Sequence, residues 1–220
     1  MNEGNVRFGD LPLQSFVDRL ASAAPVPGGG SASAVAAALA AGLLAMVARL
    51  SQGRPKYAAY QEVHERVLTV ADASRARFLE LADEDAAAYA AYAAARKMPR
   101  ETPAQQAERD AAVRHAAGEA ARVPMEIVHE CRRVAAEVEA LAGRSNLNAA
   151  SDVEVAALLI EAATRGAGAN VLINVDAIGD AEAAEQITAE LVAHMQAVEE
   201  LTARAREAIG TGHLREPERA

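Results

Sequence analysis

The 220-residue sequence contains no tryptophan, three phenylalanines, four tyrosines and a single cysteine. With so few rings, its core must be built from small side chains, and elements made of small side chains pack with their backbones close together. One thiol, Cys131, excludes an intramolecular disulfide framework and offers no zinc-type ligand set. That thiol usage fits a reducing compartment, and a cytoplasmic protein is expected. Basic charge is also in deficit: 22 Lys and Arg face 31 Asp and Glu, a formal net charge of -9. A phosphate-tracking nucleic-acid binder needs a basic stripe to release counterions, so nucleic acid is excluded as a partner. Any anionic ligand must meet a local basic cluster.

Other signals are missing too. No period-two alternation of β-branched and aromatic residues recurs and no Asn-Gly turn occurs, so strands are not expected. MNEGNVRFGD carries both charge signs where a secretory leader would be basic and then apolar. His64, His115, His129, His194 and His213 show no HExxH or other close ligand spacing, so no metal site is expected. His194 lies on an apolar seam and reads as a satisfied core histidine. The apolar run from Ala32 to Val47, within a longer uncharged stretch, has the length of a membrane span, but alanine gains little from hydrocarbon and Ser31, Ser33 and Gly42 dilute it. No membrane partner is expected.

Helix punctuation, by contrast, is abundant. Leu11, Phe16, Val17 and Leu20 mark a short amphipathic helix. Ser31 suits the N-cap of the alanine-rich helix, which should stop near Gly53 and Pro55. A long helix follows from about Tyr57 to Arg96. Thr102, Pro103 and Gln105 form a capping box with proline in the first turn, and Pro124 should kink or split the helix they open. Ser151 with Glu154 repeats the box, and Asp180 caps the last helix, whose seam is Ile187, Leu191, His194, Val198 and Leu201. The expected fold is all-α, a single domain over 1–220 with flexible ends at 1–10 and 210–220, folded as an antiparallel bundle of about six helices. An alanine-rich helix apolar nearly all round must be buried in the bundle centre or against a second subunit, and a homodimer is favoured.

Three constellations carry chemistry. Gly28, Gly29 and Gly30 before Ser31 form a turn at a helix N-terminus, where free amides and the helix dipole favour an anion or a carbonyl oxygen. The Walker lysine and spacing are absent, so the turn is not a nucleotide loop; a helix entry that lets two backbones touch is the plain alternative. Asp85 stands among Asp83 and Glu84 in an alanine-rich helix, with Tyr89, Tyr92 and Arg96 on the same face. That face suits a flat, polar, partly anionic molecule, or it is simply solvated. Asn146, Asn148, Ser151 and Asp152 crowd one connector, and Asn170 and Asn174 share a side of the next helix. They cap and turn, or they hold a heteroaromatic edge. Cys131 precedes Arg132 and Arg133, which could lower its pKa, yet no nucleophile partner stands at motif spacing.

PVPGGGSASA, Asp85-x-x-Ala88-Tyr89 leading to Met98-Pro99-Arg100, Val123-Pro124, Asn146 with Ser151-Asp152, and Ala169-Asn170-Val171-Leu172-Ile173-Asn174 occur in an order and spacing that resemble one family. It is the formiminotetrahydrofolate cyclodeaminase and methenyltetrahydrofolate cyclohydrolase group, and the resemblance spans roughly Leu11 to Ile209. It implies an all-helical homodimeric enzyme acting on a one-carbon unit carried by tetrahydrofolate, with Asp85 at the family's catalytic aspartate and no tightly bound cofactor. Gly28, Gly29, Gly30, Ser31, Tyr89, Arg100, Asn146, Ser151, Asp152, Asn170 and Asn174 would bind the substrate, and Arg54, Lys56 or Arg100 would meet its glutamate tail. Cyclohydrolase is preferred over cyclodeaminase because no formiminotransferase domain fits in 220 residues; a non-catalytic helical dimer is the reading from another class. Two departures stand out: Gly166-Ala167-Gly168-Ala169 lacks an expected aromatic beside Asn170, and Tyr89 replaces the usual phenylalanine.

Overall fold

The structure is a computed structural model that describes residues 7–217. Six α-helices form it, α1 (Leu13–Leu20), α2 (Gly29–Ser51), α3 (Gln61–Arg96), α4 (Pro103–Leu141), α5 (Ala150–Val175) and α6 (Ala181–Gly210), and the described residues contain no strand. Helices α2, α3, α4 and α5 pack in a ring, and α6 lies in the outer groove between α4 and α5. Short connections make consecutive helices antiparallel. The N-terminus of α2 therefore meets the C-terminal half of α5, where a methyl on Gly166 would stand 2.4 Å from Ser33 Oγ. This approach explains the Gly166-Ala167-Gly168-Ala169 segment: Gly168 is pinned in the same way, with Met195 Sδ 3.0 Å from where its Cβ would be. Small residues let α5 lie against both α2 and α6.

Thr102 and Gln105 form the expected capping box, and Asp180 accepts from the amides of Glu182 and Ala183. Three expectations are corrected. The N-cap of α2 is Gly28, and Ser31 sits inside the first turn with its hydroxyl turned toward α3. Helix α5 starts at Ala150 behind Ala149, so Ser151 lies inside the helix and caps nothing. Helix α4 is not split at Pro124, because Val123, Met125, Ile127 and Val128 are buried around it and hold the backbone despite the lost donor. Beyond Gly210, Arg215 donates its amide to Gly143 O and its guanidinium to Glu139 Oε1, while Tyr60 donates to Arg215 O. At the other end, the Phe8 amide donates to Asp83 Oδ1 and the Phe8 ring meets Phe16 edge-on. The outermost expected flexible residues, 1–6 and 218–220, lie outside the described residues.

The largest fully buried side chains include Phe78, Leu44, Leu81, Ile127 and Leu141, interleaved with alanines of α2, α4 and α5. Helix α2 and the segment Leu147–Ile178 are long and apolar enough to cross a membrane by length and composition. In α2 that apolar length is absorbed by packing, since 13 residues from Gly30 to Ser51 are buried. A stripe of Leu39, Met46 and Leu50 stays outside on α2, and Val155, Leu158, Leu172 and Ile173 are exposed on α5. Cys131 is fully buried and its thiol is pushed up to about 12 by loss of hydration, so Arg132 and Arg133 do not activate it.

Candidate active site

The three consecutive acids of α3 separate by direction. Asp83 faces the N-terminal turn and holds the Phe8 amide. Glu84 pairs with Arg77 across two helical turns. Asp85 alone points at the start of α2, on one side of a cavity of about 160 Å³ lined by Gly28, Gly29, Gly30, Tyr89, Asn170 and Asn174. Pro25, Val26 and Ala120 complete the wall. Nothing marked Ala120 in the sequence, where it is one alanine among many.

Glycine at position 30 is a steric requirement. A Cβ there would lie 2.1 Å from Asp85 Oδ1 and 2.7 Å from Oδ2, so only a bare backbone lets the carboxylate reach α2. Ser31 then holds it: its Oγ is 3.0 Å from Asp85 Oδ2 and its amide also bonds the carboxylate. The same Oγ is 2.9 Å from Ala82 O. A hydroxyl has one proton for these two acceptors. When Asp85 is protonated, it donates to Ser31 Oγ and Ser31 donates to Ala82 O; when it is ionised, Ser31 turns its proton to Asp85. Burial raises the Asp85 pKa above its ordinary 3.8, and the Ser31 hydroxyl and amide partly offset that rise. A carboxylate raised by desolvation and held in both protonation states is suited to acid/base work.

The opposite wall carries two asparagines and offers a donor as well as acceptors, since Asn170 Nδ2 is its atom nearest Gly29. Asn174 donates both N–H groups, to Ala120 O and Asn170 O, and Asn170 donates to Gly166 O. Asn174 thus has its carbonyl oxygen left for a ligand. With Asp85 across the cavity, the site favours a cationic or N–H-bearing group, while the free amides at the start of α2 favour an oxygen.

Several residues expected in this site lie elsewhere. Asn146 is buried beside Ser51 and Tyr57, accepting from the Asn148 amide and donating its own amide to Ser51 Oγ. It belongs to the far end of α2, about 33 Å from Gly29 by helical rise. Ser151 and Asp152 open α5 at that same end, about 28 Å from Asn170. Arg54 and Lys56 also sit there, in the connection after α2, where Lys56 Nζ lies over the Tyr57 ring. Arg100 is exposed beyond the end of α3, which itself runs about 16 Å past Asp85. The face shared by Asp85, Tyr89, Tyr92 and Arg96 divides: Tyr89 lines the cavity, whereas Arg96 bonds and stacks on Tyr92 further out. Tyr92 and Arg96 leave the cavity by distance along α3 itself, whereas the antiparallel helices carry Asn146, Ser151 and Asp152 to the other end of the bundle.

Two further features differ from expectation. The satisfied buried histidine is His64, 2.8 Å from Arg144 O, and not the half-buried His194. A larger open groove of about 590 Å³ between α5 and α6 is lined mainly by aliphatic side chains and brings together no convergent polar set.

Comparison with known proteins places this geometry. The formiminotransferase-cyclodeaminase family profile matches residues 12–193. Methenyltetrahydrofolate cyclohydrolase of Methylorubrum extorquens is 34% identical over 183 residues, 83% of this chain and 88% of its own. Formimidoyltransferase-cyclodeaminase of Rattus norvegicus is 33% identical over 171 residues, 78% of this chain, which spans only 32% of that longer protein. The crystal structure of formiminotetrahydrofolate cyclodeaminase from Thermotoga maritima superposes with a TM-score of 0.84 at 29% identity, covering 92% of this chain and 98% of that one.

Proposed function

Because the chain belongs to the formiminotransferase-cyclodeaminase family and is a folate one-carbon enzyme, we propose that it hydrolyses 5,10-methenyltetrahydrofolate to 10-formyltetrahydrofolate with Asp85 as acid/base. The observation that carries this reading is the desolvated Asp85 carboxylate held by Ser31 across from Asn170 and Asn174. The relative that matches over most of both chains is a cyclohydrolase, which supports the same choice.

In that reaction the substrate carries a delocalised cation over N5, the bridging carbon and N10. Ionised Asp85 attracts it, and the Asn174 carbonyl adds a second negative dipole. Water attacks the bridging carbon and gives one proton to Asp85, leaving a neutral tetrahedral adduct. As the bond from that carbon to N5 breaks, its electron pair stays on N5, which takes the proton from Asp85. Asp85 then accepts the hydroxyl proton as the formyl carbonyl forms on N10, and releases it to solvent. One water is consumed and one proton is liberated overall. The free amides at the start of α2 suit an oxygen of the substrate. A cavity of about 160 Å³ is smaller than the ~300–1,000 Å³ that engulfs a whole drug-sized ligand. It holds the reacting end and leaves the glutamate tail outside.

The test is the loss of the near-ultraviolet absorbance of 5,10-methenyltetrahydrofolate on mixing with purified protein, followed across pH. The rate is expected to exceed the buffer rate and to fall as pH drops through the Asp85 pKa, which burial places above the ordinary 3.8. The base form is the one that takes the water proton. No acceleration over buffer at any pH sinks the cyclohydrolase reading. The second reading, cyclodeaminase, is favoured by the Thermotoga maritima neighbour, a chain of similar extent. There N10 attacks the formimino carbon on N5, ammonia leaves and the methenyl bridge forms, so ammonia release from 5-formiminotetrahydrofolate distinguishes it.

We further propose that the exposed stripe of Leu39, Met46, Leu50, Val155 and Leu158 meets a second copy of this chain. Burying it removes apolar area at about 25 cal/mol per Å². Light scattering should give twice the 22.9 kDa chain mass, and Met46→Glu should shift it toward the monomer. A parent that is monomeric at tens of micromolar would remove the proposal.

A further inference from the structure

The geometry points to a transition-metal site of zinc type between α4 and α6, built by His129, Glu190 and His194. Glu190 and His194 are four residues apart and share one face of α6. Across from them on α4, His129 Nε2 lies 3.0 Å from Glu190 Oε1, and His194 Nε2 lies 3.8 Å from that same oxygen. The two imidazoles are 4.6 Å apart between ring centres, and one ligand atom from each residue falls within 4.8 Å of the others. Tetrahedral zinc with N and O ligands at ~2.0–2.2 Å sets its ligand atoms about 3.3–3.6 Å apart. The observed 3.0 and 3.8 Å bracket that spacing, and the two imidazole nitrogens, within 4.8 Å of each other, close the remainder by side-chain rotation. Two imidazoles with one carboxylate select zinc-like metals over calcium or magnesium, which take oxygen ligands. The site opens to solvent at Glu190, which leaves room for water in the fourth position.

One contact opposes binding: Arg132 Nη1 lies 3.3 Å from His194 Nδ1 and holds the proton of that ring on Nε2. Metal at Nε2 moves the proton to Nδ1 and requires the exposed Arg132 to swing away. The site is distinct from the Asp85 cavity, because His129 is nine residues along α4 from Ala120, about 13 Å by helical rise. Its consequence is structural, a clamp of the last helix onto the bundle, and it does not rest on the folate reading.

The full chain, freed of metal with a chelator and dialysed, is to be titrated with Zn²⁺ against a chromophoric competing chelator. One Zn²⁺ per chain is expected with Kd below about 10 µM; each of His129→Gln and His194→Gln should weaken it by about tenfold or more, and Arg132→Gln should tighten it. Excess Zn²⁺ should raise the Tm of the parent, since an ion that binds only the folded state stabilises it. A parent Kd above about 10 µM, or equal affinity in the parent and the His129→Gln/His194→Gln double variant, overturns the site. Should the double variant unfold, Co²⁺ added to the parent decides: a strong tetrahedral visible band supports the site, and a weak octahedral one overturns it.

Discussion

Asp85→Asn should lower turnover by about 10²–10⁴-fold, the usual contribution of a positioned acid/base, with folate binding largely kept. Asparagine preserves the size of the side chain and still accepts from Ser31, so the cavity keeps its shape while the proton acceptor is gone. The same substitution should raise Tm at neutral pH. Asp85 has a folded-state pKa above its unfolded one, so the folded protein prefers the protonated form and loses stability as pH rises through that folded pKa. Removing the ionisable group removes that loss, and the gain should vanish in acid below the ordinary 3.8, where both states hold the proton. Steady-state kinetics with thermal unfolding at two pH values measures both effects. Asp83→Asn is the control, because Asp83 anchors the Phe8 amide and faces away from the cavity. Turnover of Asp85→Asn within about twofold of the parent, under half a kcal/mol, would take Asp85 out of the mechanism.

Gly30→Ala should be nearly as damaging although it adds one methyl group. Its Cβ would occupy the space 2.1 Å from Asp85 Oδ1, and the carboxylate, at the end of a short side chain, must rotate away from Ser31. Misplacing a reacting group by about 1 Å can cost 10²-fold, so a loss of about 100-fold or more is expected. Alanine is the better helix former by about 1 kcal/mol, and Gly30 has no left-handed backbone to strain, so the fold should persist. Activity and Tm therefore separate in this variant. Gly118→Ala, whose added methyl meets nothing within 4 Å, should leave turnover unchanged. If Gly30→Ala keeps more than half the parent activity, close approach of α2 to Asp85 is not what the glycine serves.

Local chemistry made the helices legible. Thr102 and Gln105 can cap only one way, Asp180 precedes a run of helix formers, and an alanine-rich segment without charge from Ala32 to Ala48 must be buried wherever it lies. Boundaries shifted where a residue with no capping side chain took the N-cap ahead of a serine. Ser31 and Ser151 are both good caps, and in each case a residue upstream took the position. Ser31 was then free to reach α3 and bond Asp85.

The composition and motif order determined, by themselves, an all-helical chain, its family and the aspartate worth testing, because these follow from residue type and spacing along one strand of covalent chain. Which residues meet was decided only by the tertiary structure. Antiparallel packing joins Gly30, Ser31, Asp85, Asn170 and Asn174. It carries Asn146, Ser151 and Asp152 to the other end of helices that are 23 and 26 residues long. The same packing sets His129 against Glu190 and His194, 61 residues and more away in sequence. A helix places neighbours three or four residues apart on one face, and contacts across a bundle depend on the register between helices, which no local pattern encodes.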